Sequence, residues 1–221
     1  KASLNGILPK VEPALVIAST EGIDGIRRAI NHGIPQKDIV VINPKNFQSK
    51  EAFGQALILE CKKRKVDFIG QYGWLAMTPP NVIEEYEGRI VNQHPGPLDN
   101  GRPDFGGPGM YGLRVHEARL CFVRAVNRDF WSEATAHRVT KEFDEGQVLK
   151  REQVPIHESD TALDLQKRML PIEHKIQIEL LKDFENNKVQ EFERSRPLVM
   201  DAEVDILFKC KKEAINAYPK G

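Results

Sequence analysis

The sequence predicts an α/β protein with a Rossmann-like, mostly parallel sheet flanked by helices and an antiparallel strand pair in the C-terminal half. Short apolar runs alternate with helical patterns in the first part of the chain. These runs end in Gly, Pro or small polar residues, as buried strands do. Strands that alternate with helices form βαβ units, and such units build parallel sheets.

Four short apolar segments are predicted strands, and each reads as buried because it carries few polar residues. They are residues 14–19, 39–42, 66–70 and 88–92. Helices are predicted between them because apolar residues recur at helical spacing or a helix-starting residue pair is present. These helices cover residues 23–30, residues 52–65 and a segment starting at 78–80.

The amino-acid composition changes after the fourth strand. Residues 99–112 are rich in Gly and Pro, which predicts a loop with unusual backbone angles. Beyond it we expect a helix, two alternating strands that pair antiparallel, a long helix and an amphipathic tail helix. Pro171 should kink or break the long helix. The expected ranges are 110–128, 134–139, 147–154, 161–184 and 201–217.

Composition excludes several classes of protein. The 221 residues include 32 basic and 32 acidic side chains and six His, so the net charge is close to zero. Extended binding to nucleic acid needs a basic surface, so the neutral net charge argues against a nucleic-acid-binding protein. No apolar run approaches the ~18–20 residues that cross a bilayer. The three Cys are far apart and form no CxxC or Cys/His cluster, so we expect reduced thiols in a cytoplasmic protein and no metal site.

The most informative segment is 91–98, which contains Asn92 and His94. The prolines that follow forbid continuation of the strand, so both side chains should lie at a carboxyl edge of the sheet. Ligand sites of α/β proteins are found at this edge. About fifty residues later, Asp144 lies between two predicted strands, within the run Phe143–Gly146.

These residue types suit chemistry at a carbonyl. An amide such as that of Asn92 donates hydrogen bonds to a developing oxyanion without changing its protonation. A carboxylate such as Asp144 stabilises a nearby imidazolium, here that of His94, and fixes its orientation. No Ser or Cys lies in a nucleophile elbow. The predicted reaction is therefore direct attack of an acceptor on a carbonyl, without a covalent enzyme intermediate.

Three ordered segments then resemble the formyltransferase family that uses 10-formyltetrahydrofolate, and within it the branch that acts on phosphoribosylglycinamide. They are Gly88-Arg89-Ile90-Val91-Asn92-Gln93-His94-Pro95, Thr135-Ala136-His137-Arg138-Val139 and Asp144-Glu145-Gly146-Gln147-Val148-Leu149. The resemblance runs from about residue 14 to 192. It implies one formyltransferase domain over 1–221, with a βαβ half at about 14–98, a second half at 112–192 and a tail helix at 193–221.

The resemblance also implies roles for single residues. The catalytic trio would be Asn92, His94 and Asp144. A pocket for 10-formyltetrahydrofolate, the formyl-donating co-substrate, would be lined by Trp74, Leu75, Ala76, Met77, Phe143 and Glu145. A phosphoribosyl glycinamide-type amine, an intermediate of purine biosynthesis, would be bound by Thr20, Gly22, Ile23, Asp24, His137 and Glu173. The only partners would be the amine and the folate, with a homodimer as a further expectation.

The acceptor is left open because the first loop departs from the family pattern. Members carry a Gly-x-Gly-Ser-Asn loop that binds phosphate, whereas residues 20–24 of this chain retain only Gly22 and add Glu21 and Asp24. Two acids beside a phosphate are unfavourable unless they point away or a cation intervenes. The alternatives are formyl transfer to an amino-sugar nucleotide or another amine, a formyltetrahydrofolate hydrolase, and a non-enzymatic binding module.

Overall fold

A computed structural model of the protein describes residues 2, 3 and 5–221. The chain divides into two compact units, one ending at Val91 and the other spanning Asn92–Gly221. The described residues include no helix long and apolar enough to cross a membrane. The secondary structure is mixed α/β, with parallel strands flanked by helices, as the sequence predicts.

The first unit begins with a two-stranded parallel sheet, in which Val16 pairs with Ile39 and Ala18 with Val41. This pair forms a sheet of its own, whereas the sequence predicts one continuous sheet. Further along, the N–H of Ile69 donates to the carbonyl of Arg89 at 2.9 Å. The elements are β1 (Val16–Ala18), α1 (Asp24–Asn31), β2 (Ile39–Val41), α2 (Lys50–Lys63), β3 (Ile69–Gln71), α3 (Pro80–Glu85) and the start of β4 (Ile90–His94).

Helices α2 and α3 contribute part of the core of this unit. Ser49 caps α2 by accepting from the N–H of Ala52 at 3.1 Å, which satisfies one of the free donors of the first turn. The buried apolar side chains on these helices and on the start of β4 include Phe53, Leu57, Ile58, Val82 and Ile90.

The second unit contains the end of β4, then β5 and β6, with helices around them. The strands are neighbours in that order. The elements are α4 (Leu113–Val126), β5 (Trp131–Arg138), β6 (Val148–Pro155), α5 (Ala162–Glu185) and α6 (Val204–Ala217). All of them were predicted, with bounds that differ by a few residues.

Strands β5 and β6 confirm the predicted antiparallel pair. Trp131 lies opposite Pro155, and the register shifts between Ala136 and His137 at an irregularity. The long helix α5 begins with a capping box between Thr161 and Asp164. It continues through Pro171 to its end, so of the predicted kink or break the break is wrong, and the kink stays a prediction.

Helix α6 packs against α4 in the core of the second unit. Phe122 and Val115 of α4 and Leu207 and Ala214 of α6 are buried in one cluster. A disulfide joins Cys121 to Cys210 across the two helices. The expectation of reduced thiols is therefore wrong for these two residues, whereas Cys61 is a buried free thiol. Cysteines 89 residues apart form no local pattern, so the sequence carried no signal for this bond.

Candidate active site

Strand β4 ends with the first two polar groups of the site. Asn92 and His94 are two residues apart, so their side chains leave the same face of the strand. His94 is only 3% exposed. Gly96 is needed beside it, because a Cβ at this position would lie 2.4 Å from Cγ1 of Val115 and 3.3 Å from Nε2 of His94.

The imidazole of His94 lies between two acceptors. Its Nε2 is 3.1 Å from the carbonyl oxygen of Phe105, and because a carbonyl only accepts, Nε2 carries a hydrogen. Its Nδ1 is 3.6 Å from Oδ2 of Asp144. Burial lowers the pKa of His94, while the Asp144 carboxylate acts in the opposite direction. The protonation of His94 therefore depends on the charge of Asp144.

Strand β5 contributes His137 at its end, and this residue is buried. Nδ1 of His137 lies 2.8 Å from the carbonyl oxygen of Arg138, so this nitrogen carries a proton. Nε2 then faces the site, at 3.4 Å from Nδ2 of Asn92 and 3.4 Å from Oδ1 of Asp144. His137 thus lies against both the predicted amide and the predicted acid.

Asp144 lies in the turn between β5 and β6, where it adopts φ +58°. Asp tolerates this left-handed conformation better than most residues. Oδ2 of Asp144 accepts a hydrogen bond from the N–H of Gly107 at 2.9 Å. Burial alone would raise the pKa of the Asp144 carboxyl, but His94, His137 and this N–H outweigh it and hold the pKa well below its usual range. The carboxylate is ionised at neutral pH.

The Gly/Pro-rich loop reaches both catalytic candidates. Phe105 contacts His94 through its carbonyl and Gly107 contacts Asp144 through its N–H, as described above. The carboxylate of Asp104 shapes this segment by accepting from the N–H of Gly106 at 2.8 Å and from that of Asp99 at 2.7 Å. Burial raises the pKa of Asp104 to about 6. Sequence reasoning missed this role of the loop.

A third histidine, His116, is buried on α4. Its Nδ1 has no hydrogen-bond partner among the described residues. Burial, and to a smaller extent His94, lower the pKa of His116 to about 4. The imidazole is therefore neutral at physiological pH and serves as a packing residue.

The residues expected to bind the folate lie in different parts of the chain. In the first unit, Leu75 is 64% and Met77 39% exposed, whereas Trp74 stacks on Phe53 with ring centroids 6.3 Å apart. Ala76 lies between the two exposed side chains in the same segment. In the second unit, Phe143 is 39% exposed. Glu145, next to Asp144, accepts from the N–H of Gly101 at 3.2 Å.

The residues expected to bind the acceptor are also divided. In the first unit, Thr20 and Gly22 form a turn before α1, Ile23 is the N-cap, and Asp24 is the first helical residue. The N-cap has no side-chain hydrogen bond. In the second unit, Glu173 lies on α5, and burial raises its pKa to about 7.

The four convergent groups define a class of site. An amide, two imidazoles and a carboxylate in an α/β protein can stabilise an oxyanion and transfer a proton. A profile described as formyl transferase matches residues 2–181, and the chain belongs to this family.

Relatives with known structures or curated names support the same family. The chain is 30% identical over 199 residues to the chloroplastic phosphoribosylglycinamide formyltransferase of Arabidopsis thaliana, a match that covers 90% of this chain and 63% of the relative. The chain thus spans less than two thirds of the length of this relative. Among solved structures, glycinamide ribonucleotide transformylase 1 from Symbiobacterium toebii matches with a TM-score of 0.71 and 26% identity, covering 87% of this chain and 85% of that one. Phosphoribosylglycinamide formyltransferase from Bacillus halodurans matches with a TM-score of 0.68 and 30% identity, covering 83% and 85%.

Proposed function

We propose that the protein transfers a formyl group from 10-formyltetrahydrofolate to the primary amine of a phosphoribosyl glycinamide-type acceptor, a step of purine biosynthesis. The observation that carries the proposal is the convergence of Asn92, His94, His137 and Asp144, with side-chain atoms 3.4–3.6 Å apart. Membership of the formyl transferase family and similarity to phosphoribosylglycinamide formyltransferases support the same reaction.

The proposed mechanism uses each group for one task. The unprotonated amine attacks the formyl carbon, and the Asn92 amide donates a hydrogen bond to the resulting oxyanion. The Nε2–H of His94 would add a second hydrogen bond by being shared between the oxyanion and the carbonyl of Phe105. When the carbon–nitrogen bond to the folate breaks, the proton lost by the amine passes to the departing folate nitrogen. Asp144 and His94 carry this proton, directly or through water. His137 orients the side chains of Asn92 and Asp144, with which it lies in contact.

The acceptor half of the proposal concerns residues 20–24 and Glu173. The carboxylate of Asp24 lies 3.0 Å from the guanidinium of Arg27 and 4.0 Å from that of Arg28. These cations offset the charge of Asp24, one of the two acids that argued against phosphate binding at this loop. Thr20 and the backbone N–H groups of Gly22, Ile23 and Asp24 would bind the phosphate, because helix N-termini favour anions. Glu173 would accept hydrogen bonds from ribose hydroxyls.

The folate half of the proposal rests on exposed apolar side chains. Leu75 and Met77 present an exposed apolar surface of the kind that a flat ring covers, and Trp74 and Ala76 belong to the same segment. Phe143 offers a further exposed apolar side chain. Phe143 and Glu145 flank Asp144 in the sequence.

The departure of residues 20–24 from the family pattern favours a second candidate, transfer to an amino-sugar nucleotide or another amine. Hydrolysis of the formyl-folate is the remaining alternative. A product assay distinguishes all three: the wild-type protein is incubated with 10-formyltetrahydrofolate and a panel of amines, and the formylated amine and free formate are measured. Formylation of glycinamide ribonucleotide supports the proposal, whereas formate release alone or preference for an amino sugar overturns it.

A variant tests the catalytic group directly. Asp144→Asn keeps the shape of the side chain and tolerates the left-handed backbone, so it removes mainly the charge. We expect turnover to fall by ~10²-fold or more while folate binding, measured by calorimetry, is retained. Glu158→Gln, which removes an exposed carboxylate, is the matched control. Equal turnover in the two variants would remove Asp144 from the mechanism.

Three further properties are part of the proposal. The chain would act as one formyltransferase domain, it would form a homodimer, and it would be located in the cytoplasm. The Cys121–Cys210 disulfide argues against a cytoplasmic location, because disulfides are rare in reducing compartments. Light scattering tests the dimer, and cell fractionation tests the location.

A further inference from the structure

Helix α6 lies beyond residue 181, where the match to the formyl transferase family ends. It is nevertheless built into the second unit, because Leu207, Cys210 and Ala214 are buried against α4 and Cys210 is bonded to Cys121. The residue after this cysteine is Lys211. The backbone of Lys211 is therefore held against the core by the adjacent disulfide.

Lys211 differs from its neighbours on α6. Its ammonium group donates a hydrogen bond to the carbonyl oxygen of Gly106 at 2.7 Å, and the side chain is half-buried. Lys209 and Lys212 are exposed. Burial lowers the pKa of Lys211, while Asp104, Asp144 and Glu145 act in the opposite direction. These three carboxylates are the acids that face the ammonium group.

The carbonyl that Lys211 binds lies between the two loop contacts with the catalytic groups. Phe105 precedes Gly106 and bonds to His94, whereas Gly107 follows it and bonds to Asp144. Gly106 is itself in close packing, because a Cβ there would lie 2.7 Å from the Cβ of Asp144. A shift of this peptide would therefore move both hydrogen bonds at once.

We propose that Lys211 is a positioning residue for the transferase reaction, acting through its hydrogen bond to Gly106. This bond holds residues 104–107 in the conformation that contacts the two catalytic groups. The positive charge also stabilises the acids beside it and disfavours a second positive charge on His94. The inference rests on the proposed function, because it assigns Lys211 a part in that same reaction.

Three variants of the full chain test the proposal. Lys211→Met removes the charge and the donor, Lys211→Arg keeps both, and Lys209→Met is the control on the exposed face of the same helix. Turnover and KM are measured for formyl transfer from 10-formyltetrahydrofolate to the best amine of the panel, across a range of pH. Thermal unfolding is followed in parallel.

We expect Lys211→Met to lower turnover roughly tenfold, with KM for the folate within about twofold, because a misplaced catalytic group costs rate more than binding. The limb of the pH profile that belongs to His94 should move to higher pH by roughly half a unit, because a neighbouring cation is lost. The other groups that face His94, namely Asp144, His137 and His116, are unchanged in this variant. Lys211→Arg should restore most of the turnover and the original pH profile.

Several results would overturn the proposal. Wild-type turnover and pH profile in Lys211→Met would do so, and so would a loss of thermal stability without a change in the pH profile. If Lys211→Met does not fold, Lys211→Gln is measured by the same criteria, with the imidazole titration of His94 by NMR as a second readout. An inactive wild-type protein would overturn the proposed function as well, whereas an active wild type with an unaffected Lys211→Met overturns this inference alone.

Discussion

At the scale of single residues, His116 links the site to the stability of the second unit. Its folded-state pKa of about 4 lies below the usual value of 6.5 because the imidazole is buried. Between these two pH values the unfolded chain binds more protons than the folded one. The contribution of His116 to stability is therefore complete above about pH 6.5 and decreases as the pH falls towards 4.

We predict that His116→Leu removes this part of the pH dependence. In the wild-type protein, the contribution of His116 to the unfolding free energy should fall by about 2 kcal/mol between pH 7.5 and pH 5, because the unfolded imidazole becomes protonated. Urea denaturation of both proteins at the two pH values measures the difference. His32→Gln, an exposed histidine, is the control and should follow the wild type. A parallel loss in His116→Leu would contradict the assigned titration.

Sequence reasoning predicted Asn92, His94 and Asp144 as site residues, and the structure brings their side chains close together. Asn92 and His94 precede a Pro-Gly-Pro segment, and Asp144 lies between two alternating strands, so local patterns mark all three. It missed Lys211, whose hydrogen bond joins segments far apart in the chain, and Asp104, whose carboxylate bonds to backbone N–H groups within an irregular loop. No spacing rule connects a lysine on a C-terminal helix with a loop carbonyl 105 residues earlier.

At the scale of elements, the turn between β5 and β6 explains why a glycine follows Asp144. A Cβ on Gly146 would lie 1.8 Å from the carbonyl oxygen of Arg138, which is a backbone atom and cannot move aside cheaply. The N–H of Arg138 in turn donates to the carbonyl of Gln147 at 2.9 Å. The glycine thus permits the close approach of the two chain segments that carry His137 and Asp144.

We predict that Gly146→Ala destabilises the protein by at least about 2 kcal/mol, because the backbone must shift to admit the methyl group. The variant should also lose turnover in excess of the unfolded fraction, since Asp144 moves with the turn. Gly25→Ala, where a Cβ would make an ordinary 3.7 Å contact with the side chain of Ile23, is the control. It should be neutral or stabilising by up to about 1 kcal/mol. Equal stabilities of the two variants would contradict the packing argument.

Among the elements, the sequence predicts helices and strands well, but it predicts poorly which strands pair and how a proline affects a helix. Helices and strands with a clear period were found, and the predicted helix 161–184 is observed as Ala162–Glu185. Pro171 was expected to kink or break this helix, but packing against β5 and β6 keeps the helix continuous. The separation of β1 and β2 into their own sheet was also missed, because pairing partners of parallel strands are not encoded locally.

At the scale of the whole molecule, the Cys121–Cys210 disulfide closes a long loop. The two residues are 89 apart in sequence, and the enclosed chain includes the end of α4, all of β5, β6 and α5, and the first half of α6. A cross-link of this span restricts the unfolded chain more than the folded one. The bond therefore stabilises the second unit and keeps α6 against α4.

We predict that reduction of this bond lowers the unfolding free energy by about 2–4 kcal/mol. Urea denaturation with and without dithiothreitol measures the change, and the Cys121→Ala, Cys210→Ala double variant should show no response to the reductant. Thiol titration of the denatured, unreduced chain should find one reactive thiol, that of Cys61. Three thiols in this titration would show that the bond does not form.

The packing of Gly106 against Asp144 limits how this protein could be re-engineered. Loop grafting is a common route to altered substrate preference, and the Gly/Pro-rich loop is an obvious place to attempt it. Replacement of residues 104–107 would displace Asp144 along with the loop, because Gly107 bonds to its carboxylate and Gly106 packs against its side chain. Libraries aimed at new acceptors should therefore diversify residues 100–103 and 108–111 and leave the central four unchanged.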